Sequence, residues 1–349
     1  MSIKNTNSVP SLSDKERHNT KLKFTATVIS SVIGFIAAIL TNIFIPQISE
    51  NVEIKDYVFG SIILDINSAY RIVLVAIAVL YIGIGIFSSF KKERREKFTK
   101  RAPFRFAIGI VLILWDLFGT KLQILPQPFF PGPAGILEAF LIEGGYILEN
   151  TLYSLRLFAV GFIGGAAIGV GTGILIGWFP KVYYWVQPVL KITGVIPAVA
   201  WMPFALTLLP TPFSAAAFLI VICTWFPVAS LTAAGVQSTP KAQFEAARTL
   251  GGKTPYLVFR VAVPHALPQI FTGITTANAF SFTTLVMAEM LGQPGGLGYY
   301  INASKVWSAY YKVFAAIIVM AILFSLITKA VSLIEAYVLR WQRGLVKNV

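Results

Sequence analysis

The stretch STPKAQFEAARTLGGKTPYLVFRVAVPHALP, residues 238–268, is the longest polar interruption in the apolar C-terminal half of the chain. It carries two short helix signatures back to back. Thr239-Pro240 has the form of an N-cap followed by proline at the first helical position. Gly251-Gly252 has the form of a stop, because glycine tolerates the left-handed residue that ends helices. Thr254-Pro255 opens a second short helix, which Pro264 and Pro268 are expected to close before the next apolar run. A helix pair held between two membrane-spanning runs makes its contacts in the water phase.

The runs on either side set the class. Of 349 residues, 56% are hydrophobic and 13% charged, with a mean hydropathy of +0.72, whereas soluble domains carry about 25% charge. A bilayer crossing needs about 20 apolar residues. Eight segments qualify: 24–45, 72–90, 104–119, 151–178, 183–209, 215–236, 270–291 and 313–339. The chain is therefore expected to be an all-α membrane protein of about eight transmembrane helices.

The formal charge of +14 invites a nucleic-acid reading, but its placement excludes one. Lys and Arg concentrate in the N-terminal tail, in 91–105, in 241–260 and after Leu339, which are alternate loops of a single topology. Glu50, Glu53, Asp56, Asp65, Glu138, Glu143 and Glu149 occupy the loops between. The positive-inside rule then places both termini in the cytoplasm. No small-residue cleavage site follows the first apolar run, so it reads as a retained anchor. The lone Cys223 forms no intramolecular disulfide. The loop KKERREKFTKRAPFR reads mainly as a topogenic signal, with anionic lipid headgroups as the second reading.

Three spans carry more than hydrophobicity. In the fourth, Gly161, Gly165, Gly169, Gly173 and Gly177 recur every four residues and form a stripe along one helix face. Such a stripe lets another helix backbone approach closely, as static packing in the preferred reading or as a surface for rocking in the other. The fifth is broken by Pro188, Pro197 and Pro203, and broken spans often line a pathway. Lys191, Thr193 and Trp201 on it are pathway candidates, although Lys191 equally suits snorkelling to the headgroups. The seventh is dense in small polar groups, of which Asn278, Ser281, Thr284 and Glu289 are pathway candidates because such groups avoid lipid. Arg156 near the outer end of the fourth span joins them. After the seventh span, GQPGGLGYY reads as a glycine-rich outer loop.

Chemistry of other kinds finds no residues. Gly252-Lys253-Thr254 imitates the end of a Walker A motif, but Ala247 stands where the first glycine belongs and no strand precedes it. His18 and His265 lie far apart without cysteine partners, so no metal site is expected. No catalytic residues, and no cofactor bound by this chain, are expected.

Glu245-Ala246-Ala247, Gly251 four residues later, and the closing Val261-Ala262-Val263-Pro264 resemble the EAA loop of bacterial ABC importer permeases. LPQPFFPGP, NTLYSLRLFAVGF, PVLKITGVIPAVAWMPFALTLL and VMAEMLGQPGGLGYYI resemble the branch that imports nitrate, bicarbonate, cyanate, sulfonates and taurine. The resemblance covers about 125–341 and departs over the first two spans. It divides the chain into an N-terminal extension, 1–103, and a permease domain, 104–349. It implies a type I importer permease core in the inner membrane, a homodimer with two ATPase subunits that use ATP and Mg, and an extracytoplasmic solute-binding protein. In that reading Phe244, Glu245, Ala246, Ala247, Leu250, Gly251 and Pro264 couple the membrane helices to the ATPase. The cargo it implies is a small anion, with nitrate or bicarbonate ahead of sulfonates because Pro210-Thr211-Pro212 follows the fifth span. An ion-coupled secondary carrier, with Glu289 or Asp116 as coupling carboxylate, is the competing class; it predicts paired inverted repeats, and one broken span has no second matching half.

Overall fold

The first apolar run folds as the second part of a longer helix, α1 (Leu12–Phe44). The computed structural model describes residues 12–47, 56–59, 62–126 and 128–341, with the side chains of 12–23 and 56–64 outside that description. A short antiparallel hairpin, β1 (Asp56–Phe59) and β2 (Ile62–Asp65), follows, with Asp56 opposite Asp65. Sequence reading did not anticipate it, because four residues give too short a run for alternation to register. The Asp65 side chain then caps α2 (Ile66–Ser89) by accepting from the Asn67 amide at 3.3 Å. A basic helix, α3 (Lys92–Lys100), joins α2 to α4 (Ala102–Asp116), which runs on as a π turn over Leu117–Lys121.

Contacts divide the chain into two compact units, one ending at Ile142 and the other starting at Glu143. In the first, α1 meets α4 where Gly34 faces Gly109; a Cβ on Gly109 would lie 2.6 Å from the Gly34 backbone. Val32, Phe35, Ala38, Tyr70, Leu74 and Ala78 form the apolar core beside that crossing. Near one end of this unit, Asn42 donates to Asp116 at 3.0 Å and accepts from Lys121 on its carbonyl at 2.9 Å.

The second unit begins inside α5 (Pro133–Trp178), which is longer than the expected fourth span because the proline-rich segment joins it through a kink at Glu143 (φ −111°, ψ 17°). The Glu143 carboxylate accepts from Tyr300 and pairs with Lys312. Then come α6 (Pro180–Val195), a 3-10 turn over Ala198–Trp201 and α7 (Met202–Leu208). Proline at 197 has no N–H to donate and drives Ile196 into extended backbone (ψ 121°), and the two pieces bend by 100°. After α8 (Pro212–Gln237) come α9 (Lys241–Thr249), α10 (Thr254–Tyr256) with a π turn over Leu257–Ala262, α11 (Val263–Gly292), α12 (Leu297–Val306) and α13 (Tyr310–Val338). The expected glycine-rich outer loop is thus confined to a turn, with Leu297 already helical.

The glycine stripe of α5 lies on α8. A Cβ at Gly161, Gly165, Gly169, Gly173 or Gly177 would meet Ile220, Thr224, Val228, Thr232 or Val236 at 2.5–2.8 Å. Both series rise together, so α5 and α8 are parallel, and the chain between them has to return across the same thickness. The bent pair of α6 and α7 makes that return: α6 packs on Ala229 and Ala233 toward one end of α8, and α7 joins the cluster with Ala215 and Ala216 at the other. Among the described residues, seven helices are long and apolar enough to span alone, and the bent pair, taken as one span, makes eight, as the sequence predicts. α8 is the most buried span, 56% of its apolar window against 39% or less for the rest. It sits between α5 and an antiparallel α11, which it meets at Gly235–Ala266 and Val228–Gly273.

The stripe makes a graded prediction. Gly173→Ala drives a methyl into Thr232 and is expected to destabilise the fold by about 1–3 kcal/mol. Gly171, with nothing within 4 Å of its Cβ position, is the matched control. Thermal unfolding of the purified protein should show a lower transition for Gly173→Ala and none of that loss for Gly171→Ala.

Candidate functional site

The polar loop that interrupts the spans folds around one anchored helix. Phe244 of α9 is half-buried and meets the Trp178 ring of α5 at 5.5 Å, edge to face. It packs with Val236, Ala262, Ala266 and Ile270, so α9 rests on the ends of α5, α8 and α11 together. Ala247 is buried beneath the helix, and its carbonyl accepts from the Gly252 amide at 2.9 Å. Gly251 takes the left-handed conformation (φ 83°) that ends α9 and sends the chain back. Glu245, Ala246, Arg248 and Leu250 face outward, Leu250 being 88% exposed. A cleft of about 520 Å³ opens at the turn after α9, lined by Leu250, Gly251, Gly252, Lys253, Pro255 and Tyr256.

Two expectations about this loop need correction. Thr239 does not cap α9: the helix starts at Lys241, Pro240 occupies the cap position without a side-chain bond, and the Thr239 hydroxyl is buried without a partner. Pro240 lacks an N–H and already has extended ψ (135°), so the entry needs no hydroxyl cap. Nor do Pro264 and Pro268 end the second short helix. α10 continues through the π turn directly into α11, with Pro264 in the first turn of α11 and Pro268 inside it. The wider turn, in which the Val263 amide bonds back to Val258, makes room for a proline ring that an α-turn would push against a carbonyl.

The polar residues of α11 divide: Thr272, Thr276 and Thr283 are exposed and bond carbonyls of their own helix, whereas Asn278, Ser281 and Thr284 find partners inside the bundle. Asn278 donates to Thr328 of α13 at 2.9 Å, Ser281 shares a 2.6 Å hydrogen bond with Thr224 of α8, and Thr284 donates to the Cys223 sulfur at 3.2 Å. All three α11 side chains are buried. The remaining pathway candidates have other surroundings, Trp201 packing against the core cluster that includes Ala277, Leu285 and Ala288 of α11. Thr193 bonds its own helix carbonyls at Val189 and Leu190. Lys191 is exposed, Arg156 is exposed with its guanidinium 5.4 Å from the Phe213 ring, and Trp201 has a buried indole N–H without a partner. These eight residues therefore occupy several faces of the bundle and not one cluster.

Glu289 joins a network that sequence reasoning missed. Its carboxylate accepts from the Gly298 amide at 2.8 Å and fills the space beside Gly296, whose φ of 106° no other residue adopts easily. The Gly296 amide donates to Asn150 at 2.9 Å and the Leu297 amide to Ser154 at 2.8 Å, so two α5 side chains satisfy the free amides that open α12. Gln293 donates to the Pro212 carbonyl at 2.6 Å and accepts from Tyr153 at 2.9 Å. Burial, together with the hydrogen bond to Glu143, holds the Tyr300 hydroxyl well above its ordinary pKa, so it remains a donor. The available signal was Asn150 and Ser154, polar at i and i+4 on an otherwise apolar helix face.

Residues 169–344, half of the chain, match the family described as binding-protein-dependent transport system inner membrane component. A Bacillus subtilis protein named as an aliphatic sulfonates transport permease, SsuC, is 30% identical over 68% of this chain and 86% of its own length. The nitrate import permease NrtB of a Synechocystis species is 31% identical over 62% of this chain and 80% of its own. The bicarbonate transport system permease CmpB of Synechococcus elongatus is 30% identical over 75% and 95%. The matched segment contains α9, the polar face of α11 and most of the glycine stripe, and the chain belongs to the binding-protein-dependent inner-membrane permease family of ABC importers.

Proposed function

We propose that this chain is the membrane-spanning subunit of an ATP-driven importer of a small oxyanion, with α9 as the element that docks on a separate ATPase subunit. The observation that carries this reading is the division of α9 into two faces: Phe244 and Ala247 hold it to its own chain, while Glu245 and Ala246 are exposed and Leu250, just past its end, lines the cleft. A helix so mounted passes a push to α5 through Trp178 and to α11 through the unbroken α10–π–α11 run. Glu245 suits pairing with a basic group of the partner, and Leu250 supplies an apolar tip. ATP and Mg act in the partner, whose closing the helices of this chain convert into a change of access. A second copy of the chain and an extracytoplasmic binding protein complete the importer, in the inner membrane with both termini cytoplasmic.

The cargo reading rests on the relatives, which are named for nitrate, bicarbonate and aliphatic sulfonates. All three are delocalised anions with similar demands on hydroxyl and amide donors. Nitrate or bicarbonate stands first and a sulfonate such as taurine second.

Glu245→Lys is expected to abolish uptake and to reduce copurification of the ATPase, while leaving the amount of membrane-inserted chain unchanged. Gly251→Val forces a branched side chain into the left-handed region at about 1–3 kcal/mol and should uncouple transport to a similar degree; normal uptake in both variants with an intact complex would overturn the α9 assignment. Uptake of labelled nitrate, bicarbonate and taurine in a deletion strain separates the cargoes. Loss of taurine uptake alone would reverse their order.

A further inference from the structure

The α2–α4 connection is a folded surface, not a bare run of charge. Residues 91–105 hold eight cations against two carboxylates, and α3 orders most of them. One side chain seats the helix: Phe98 is 3% exposed, 5.8 Å from the Phe24 ring of α1 and beside Gly85 of α2. Arg105 closes the seat from below, its guanidinium 3.8 Å from the Phe98 ring and 5.3 Å from the Tyr81 ring, donating to the Phe98 carbonyl at 3.2 Å. A buried cation thus satisfies a carbonyl at the C-terminal end of α3.

The depth of the helix follows from its neighbours. Phe90, at the end of α2, is 80% exposed, and Phe104, at the start of α4, is 70% exposed, so each marks the last lipid-facing turn of a span. Arg94 lies with its guanidinium 4.5 Å from the Phe87 ring, at the level of that turn. Among the described residues Lys97 has Glu93 at 2.7 Å, whereas Lys91, Lys92, Arg94, Arg95, Lys100 and Arg101 have no carboxylate within ion-pair distance. A topogenic signal needs only the charge count, available before folding. Here a buried aromatic and a buried arginine hold the charges in place after folding, beside the exposed aromatic ends of two spans.

We propose that α3 is a binding surface for anionic glycerophospholipid headgroups, seated by Phe98 and Arg105 and recognising phosphate through the cations of residues 91–101 that no carboxylate among the described residues pairs. The full chain, with any subunits that accompany it, is placed in nanodiscs of equal phosphatidylglycerol and phosphatidylcholine, and retained lipid is counted by native mass spectrometry during stripping. Phosphatidylglycerol should be enriched at least about fivefold, the factor that one interfacial cation supplies, and molar salt should abolish the enrichment. The variant R94Q/K97Q/K100Q/R101Q should retain both lipids equally while keeping Lys91, Lys92, Arg95 and Arg105 for orientation. Equal retention in the wild-type chain, or unchanged enrichment in the variant, overturns the proposal. So does salt-labile copurification of an acidic protein without lipid enrichment. Should the variant insert in reversed orientation, the wild-type comparison decides alone.

Discussion

The bare backbone of α5 against α8 is the contact on which the second unit depends. Five glycines in steps of four leave no side chain between the two helices, and α8 presents Ile220, Thr224, Val228, Thr232 and Val236 into the space so opened. Lipid is as apolar as the side chains themselves, so close packing, not hydrophobic transfer, holds such a pair. Because the pair is parallel, everything between its members has to cross and return, which accounts for the broken α6–α7 connection. With α5 on one side, α8 has its other side free for α11 and is buried along its length.

Around that frame the polar groups serve two ends of the unit differently. Along α11, hydroxyls and an amide reach α8 and α13 and tie three helices together. At the α12 turn, Asn150, Ser154 and Glu289 satisfy backbone amides that a tight glycine turn leaves open, and Gln293 donates to the Pro212 carbonyl of α8. In a bilayer each unpaired backbone group is costly, so this turn depends on side chains from two other elements. At the opposite end α9 is held by Phe244, which packs on Trp178 and the apolar ends of α8 and α11, by the buried Ala247 and by a left-handed glycine, and most of its surface stays exposed.

Much of this was legible in the residues. Apolar length located all eight crossings, and Gly251 announced the stop that its positive φ confirms. The four-residue glycine period announced a close helix neighbour, though not its direction. What escaped has a physical cause in each case. Pro264 and Pro268 read as breakers because proline clashes in an α-turn, and one π turn ahead of them removes the clash. Glu289 and Asn278 stood out because polar groups avoid lipid, but their partners Gly298 and Thr328 are brought to them only by three-dimensional packing. Asn150 and Ser154 bond amides more than 140 positions away, a pairing that local pattern does not encode.

The glycine stripe also limits how the helices can move. Side chains of α8 sit over the glycines of α5 one for one, so sliding one helix along the other meets a barrier until it has advanced a full repeat of four residues, about 6 Å. A shift of that size would break every contact of the pair at once. The α5–α8 pair therefore behaves as one stiff beam, and any change of shape in this unit has to be taken up at its joints. The 100° break after Val195 is one, the kink at Glu143 is another, and the π turn ahead of Pro264 is the third. On the proposed reading, a push on α9 would reach the beam through Trp178 and the π turn through the chain that follows α9, so the loop would act as a crank set against a rigid member.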